Sequence, residues 1–124
     1  MSRLLPTRPR TGTNRRRRKV SHDRLLGLLG LGERGGRVVI GVDGTRAVLQ
    51  RDDCAVVVMA EDASPRAVAK VRALAAGKGV TVINGPSADR LGARLGRPPV
   101  MVVAVRDRAL AAGLLAAHDH RDGT

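Results

Sequence analysis

From Arg37 to Leu115 the chain repeats one pattern: a short apolar run, a break at Gly, Ser or Pro, then a segment whose apolar residues recur every three or four positions. Uninterrupted runs suit strands buried on both faces, and the periodic segments suit helices laid over such a sheet. The expected strands are residues 38–40, 55–60, 80–84 and 100–105. A helix beginning near Ser21 or His22, with Leu25, Leu28 and Leu29 on one face, comes before them and ends at Gly35 and Gly36. Asp43 is expected to cap a helix running to about Arg51. Ser64 caps the next, with Pro65 in its first turn, Val68, Val71 and Ala75 facing inward, and Gly77 and Gly79 stopping it. Ser87 caps a short helix carrying Leu91 and Leu95, closed by Gly96 and the Pro98-Pro99 pair, and Asp107 caps the last, with Leu110, Leu114 and Leu115. The order α-β-α-β-α-β-α-β-α predicts an α/β fold, a four-stranded mixed sheet between helical layers.

A chain of 124 residues has room for one core, and this one contains no Phe, Tyr or Trp. Val, Leu and Ala must fill the interior at short range. The same absence removes the single-strand binders that stack bases on aromatic rings. Any nucleic acid held here is recognised by shape, phosphates or base edges, through Arg and backbone amides. Cys54 stands alone, which excludes a disulfide framework within the chain and suits a reducing, cytoplasmic setting. No run approaches the roughly 18 apolar residues of a membrane span, and residues 25–31 are Gly-broken and lack the cleavage site of a secretory leader.

Charge is placed unevenly. Of 23 Lys and Arg, eight (Arg3, Arg8, Arg10, Arg15, Arg16, Arg17, Arg18 and Lys19) fall in the first 20 residues, which hold no acid. The other 15 face all 11 acids of the chain, so this remainder has a net charge of about +4 out of +12. A folded domain needs no such block, and a polyanion is the economical partner. Pro6, Pro9, Gly12 and Asn14 break any periodicity there. Residues 1–20 are therefore expected to be a disordered basic arm, residues 21–117 the domain, and residues 118–124 a polar tail.

Three apparent motifs carry little chemistry. Gly30-Leu31-Gly32-Glu33-Arg34-Gly35 matches G-x-G-x-x-G, but a helix comes before it and a strand after, the reverse of what dinucleotide binding requires. His118-Asp119-His120 has no further ligand nearby and makes a poor metal site. The acids are scattered and no Ser/His/Asp or Cys/His set is evident, so neither catalysis nor a cofactor is expected. Residues 37–46 are more informative, because they run strand, glycine, helix start. A helix N-terminus preceded by Gly exposes unpaired amides and a positive dipole end, suited to phosphate or base acceptors. Arg37 and Arg46 flank it. The same string also fits an ordinary strand-to-helix turn with a capping Asp.

The strings Leu25-Leu26-Gly27-Leu28-Leu29-Gly30-Leu31, Gly35-Gly36-Arg37, Gly41 and Val57-Val58-Met59-Ala60-Glu61-Asp62-Ala63-Ser64 stand in a familiar order and spacing. Leu91-Gly92, Leu95-Gly96-Arg97-Pro98 and Val102-Val103-Ala104-Val105 follow them. Together they resemble the kink-turn-binding ribosomal-protein superfamily of archaeal L7Ae and eukaryotic L30e, especially its small bacterial YlxQ-like branch. The resemblance implies a three-layer α-β-α sandwich that binds a kink-turn, a sharply bent RNA with tandem sheared G·A pairs. In the family a Gly opens the second helix, an Asn and an acid follow, and a Lys one turn later contacts base or phosphate. The loop before the last strand covers an extruded nucleotide. By position the Gly is Gly41, while Asp43, Gly44 and Ala47 replace the Asn, the acid and the Lys. Asp43 can accept from guanine N–H groups but repels phosphate.

The resulting RNA-binding set is Arg37, Gly41, Asp43, Gly44, Thr45, Arg46, Arg97 and Pro98. Arg15, Arg16, Arg17, Arg18 and Lys19 of the arm would add sequence-independent phosphate contacts. The expected function is non-catalytic binding of ribosomal or kink-turn-like RNA, with ribosomal or translation proteins as further partners and no membrane. Asp43, Gly44 and Ala47 leave open an alternative, a protein-interaction module in translation or ribosome assembly that has lost kink-turn recognition.

Overall fold

Strand β2 (Val56–Met59) is buried at every residue, which places helices on both faces of the sheet that contains it. The computed structural model describes residues 22–123, and the expected arm, with Arg15, Arg16, Arg17, Arg18 and Lys19, lies outside the described residues. Helix α1 covers residues 22–34. It is followed by β1 (Val38–Ile40), α2 (Val42–Gln50), β2, α3 (Pro65–Lys78), β3 (Thr81–Asn84), α4 (Ala88–Leu95), β4 (Val102–Val105) and α5 (Arg108–Gly123). The sheet order is β1-β4-β2-β3, with β4 antiparallel to both neighbours and β2 parallel to β3. The chain therefore forms the expected α/β fold with a four-stranded mixed sheet.

Alternation along the strands divides the core in two. Val56, Val58, Ile83, Val103 and Val105 meet Leu25 and Leu29 of α1, Leu91 of α4 and Leu114 of α5. Val57, Met59 and Val102 meet Leu49 of α2 and Val71 and Ala75 of α3. Each of these larger apolar side chains, fully buried, stabilises the fold by about 1.5–3 kcal/mol relative to exposure. With no ring to hold layers apart, backbones approach closely, as where a Cβ on Gly44 of α2 would lie 2.5 Å from Val39 Cγ1.

Local capping chemistry is as expected at three helices. Ser64 accepts from the Ala67 N–H at 3.2 Å, Ser87 from Arg90 N–H at 3.2 Å, and Asp107 from Leu110 N–H at 2.8 Å. Elsewhere the structure departs from expectation. Helix α3 runs through Gly77 and ends at Lys78, with Gly79 alone taking the left-handed turn. The last strand starts at Val102 rather than Val100, whose N–H is instead drawn to the Ala88 carbonyl at 3.0 Å. Helical backbone continues through His118 to Gly123.

Strands β1, β2 and β3 point the same way, so their C-terminal ends share one rim of the sheet. Helices α2, α3 and α4 all start from that rim. The opposite rim holds the turns at residues 51–55, Gly79-Val80, Arg37 and Arg106.

Candidate functional site

Gly41 leaves β1 with φ 101 and ψ 163, a region essentially restricted to glycine. Its N–H donates to the Val102 carbonyl at 2.9 Å, and its own carbonyl accepts from the Thr45 N–H at 3.0 Å. Strand thus becomes helix without a loop, and α2 starts at Val42. Asp43, expected as the cap, is instead an exposed residue of the first turn, because the Gly41 carbonyl has already taken the first helical bond. No side chain caps α2, unlike α3 and α4. Its first amides and positive dipole end are left to the rim.

The segment before β4 folds back beside this turn. Gly96 closes α4 in the left-handed region, and the Arg97 N–H donates to the Gly92 carbonyl at 2.8 Å. A Cβ at Gly92 would run into the carbonyl oxygen of Pro98, so the absence of a side chain there lets the loop lie on α4. Pro98, Pro99, Val100 and Met101 then face Ile40, Gly41 and Val42 across a groove of about 400 Å³, with Arg97 on its lip. Met101 is 39% exposed, and only Leu31 among the described large apolar residues joins it at the surface. The Gly41 turn and the Arg97-Pro98 loop, far apart in sequence, thus line one site.

Other expected contributors lie elsewhere. Arg37 enters β1 at its opposite end, four residues and about 13 Å from Gly41 at the usual rise of a strand. It sits beside Gly36, Asp53, Arg106 and Asp107, away from the groove. Thr45 is fully buried on the inner stripe of α2 with Val48 and Leu49, and its hydroxyl has no protein partner among the described residues. Its side chain therefore does not present itself to a ligand at the rim. Gly44 is held against Val39, which leaves its position no room for the longer acid that the family pattern places there. Arg46 is half-buried and forms no ion pair among the described residues.

Arg97 is itself partly engaged, with its guanidinium 3.9 Å from the Glu33 carboxylate of α1. Arg90 pairs with Asp23 at 3.0 Å, and Arg94 Nε donates to the Leu26 carbonyl at 3.2 Å. Arg90 and Arg94, at i and i+4, share one face of α4 turned toward α1, whereas Arg97 lies past the helix end in the loop after Gly96. Met101, Ile40, Glu33 and Gly92 were not among the residues expected at the site. Their roles depend on the return of the loop over α4.

The opposite rim has a different character. Arg106 donates to Asp53 through Nε at 2.8 Å and through its terminal nitrogen at 2.7 Å. Lys78 lies 3.1 Å from Asp52 and donates to the Gln50 carbonyl at 3.4 Å. These groups and Cys54 border a hollow of about 520 Å³. The Cys54 thiol donates to the Val56 carbonyl at 3.4 Å, and burial pushes its pKa up, outweighing backbone hydrogen bonds from Val105 and Val56 that act the other way. Such a thiol is the reverse of an activated nucleophile. Among the described residues no cluster of His, Cys, Asp and Glu is placed to hold a metal ion, and no helix is long and apolar enough to cross a membrane.

Comparison with known proteins places this geometry. The model of the ribosomal protein L7Ae/L30e/S12e/Gadd45 family matches residues 23–113. Similar solved structures include a Bacillus halodurans protein described as of unknown function, 23% identical, with a TM-score of 0.73 over 77% of this chain and 96% of that one. Another is a Giardia lamblia 15.5 kD RNA-binding protein, 21% identical, with a TM-score of 0.68 over 81% of this chain and 86% of that one. No curated protein sequence matches the chain significantly.

Proposed function

The chain belongs to the ribosomal protein L7Ae/L30e/S12e/Gadd45 family, and from that premise we propose that it is a non-catalytic RNA-binding protein whose site is the groove between the Gly41 turn and the Arg97-Pro98 loop. The observation that carries this reading is the uncapped start of α2 beside an open apolar groove. Amides and helix dipole suit phosphate or base-edge acceptors, Pro98, Pro99 and Met101 offer an apolar wall for an unstacked base, and Arg97 stands at the lip. The structural similarity to a Giardia RNA-binding protein supports the same reading.

The finer proposal is recognition of a kink-turn-like element, in ribosomal RNA or in another cytoplasmic RNA engaged with translation proteins. A gel-shift comparison at about 0.15 M salt, close to physiological ionic strength, tests it. A kink-turn RNA should bind more tightly than the same RNA with its G·A pairs replaced by Watson–Crick pairs. Equal binding leaves RNA binding intact and removes kink-turn selectivity. Binding to neither favours the second reading, a protein-interaction module, for which the closed position at Gly44 and the apolar Ala47 are the specific support.

A further inference from the structure

The two helical layers differ in charge far more than the whole chain suggests. Helices α2 and α3 carry five cations, Arg46, Arg66, Lys70, Arg72 and Lys78, against one acid, Asp43. Helix α3 has no acid at all. Helices α1, α4 and α5 carry six cations against five acids. Ion pairing does not follow this division: Arg24, Arg34 and Arg108 of that second layer have no ion pair among the described residues, while Lys78 of α3 pairs with Asp52. On α4, Arg90 is matched by Asp23 and Arg94 by the Leu26 carbonyl. Arg46, Arg66 and Lys70 have no ion-pair partner among the described residues, and Arg66 and Lys70 are exposed at i and i+4 on the outer face of α3. A layer with five cations and one acid, set against one in which six cations face five acids, is where an external anion is wanted.

Geometry connects this surface to the groove. Helices α2 and α3 pack side by side, both starting at the rim that holds Gly41, and Lys78 at the end of α3 reaches the Gln50 carbonyl at the end of α2. An RNA whose irregular element sits at the groove has a helical stem to place, and the cationic layer lies directly along one route from the rim. We propose that the outer face of α2 and α3, centred on Arg46, Arg66 and Lys70, is a second RNA-binding surface that holds the phosphate backbone of that stem.

This proposal rests on RNA binding at the groove, and the test separates the two. The full chain is titrated with a hairpin carrying tandem G·A pairs on either a short or a long stem, at several salt concentrations. On the long stem, replacing Arg66 and Lys70 together by Gln should make the log–log salt slope shallower by about 1.8, two phosphates at roughly 0.9 each. On the short stem the slope should change little. A matched variant of the opposite layer, with the exposed Arg24 and Arg34 of α1 replaced by Gln, removes the same formal charge and should leave both slopes unchanged. Binding with an unaltered slope in the α3 variant overturns this surface and leaves the groove standing. Equal flattening in the two variants also overturns it, since net charge alone would then account for the effect. A wild-type chain that binds neither hairpin overturns both readings.

Discussion

The two rims of the sheet are built from similar parts and finished differently. At the Gly41 rim, helices begin, one start is uncapped, and the neighbouring loop is apolar and open. At the opposite rim, the turns carry more charges, and two of the acids are matched, Asp53 to Arg106 and Asp52 to Lys78. The larger hollow, richer in ionisable groups, is thus the less available one, because both of its acids already hold cations, Asp52 with Lys78 and Asp53 with Arg106, which leaves Arg108 unpaired among the described residues. An open rim with uncapped amides beside an apolar wall has more to offer an unstacked base than a hollow whose carboxylates already hold most of its cations.

The largest expected effects break the open rim by two distinct routes. Gly41→Ala meets nothing within 4 Å, so its cost is conformational, on the order of 1–3 kcal/mol for a non-glycine residue held in that region. Gly92→Ala sits in ordinary helical backbone but collides with the Pro98 carbonyl, an overpacking cost of about 1–3 kcal/mol or a displaced loop. Both variants should unfold earlier in urea and bind RNA more weakly. If either loses stability while keeping wild-type RNA affinity, the groove is not the site.

A smaller effect sharpens the contrast between rims. Arg97→Gln should flatten the salt dependence of RNA binding by about one unit, as for the loss of a single phosphate contact, while Arg37→Gln leaves it unaltered. The reverse result would move the interface to the far rim. Smaller still, Asp53→Asn removes an ion pair whose side chains are 39–44% exposed, so stability should fall by less than about 1 kcal/mol and RNA affinity should hold. Thermal unfolding and a binding isotherm of the same protein check both halves.

Which of these features the sequence revealed depends on how far the causes act. The caps at Ser64, Ser87 and Asp107 were legible because the donor and acceptor are three residues apart. Asp43 looked equally suitable, and what displaced it is long-range: Gly41 is tied to Val102 of β4, so the helix starts at once. Arg37 seemed to flank Gly41 because it is near in sequence, but an extended strand carries it to the other rim. The Arg97-Pro98 half of the groove was legible through family resemblance. Met101 was hidden inside an apolar run, since composition does not show where a strand's hydrogen bonding begins. The strand order β1-β4-β2-β3 likewise depends on pairings that no local string specifies.

The smallest expected effect concerns the closed rim and has a defined sign. Burial holds the Cys54 proton to higher pH in the folded chain than in the unfolded one. As pH rises through the ordinary thiol range, the unfolded state gives up its proton first, so the unfolded state is favoured and stability falls. Below that range both states are protonated and the difference vanishes. Urea midpoints of the wild type and of Cys54→Ala, followed from neutral to alkaline pH, should therefore diverge only at the alkaline end, with the wild type losing more. Parallel profiles would mean that the thiol is as well solvated as in the unfolded chain, and that the far rim is more open than its paired charges imply. RNA affinity should be the same for the two proteins at neutral pH, because Cys54 lies at the rim that the groove does not use.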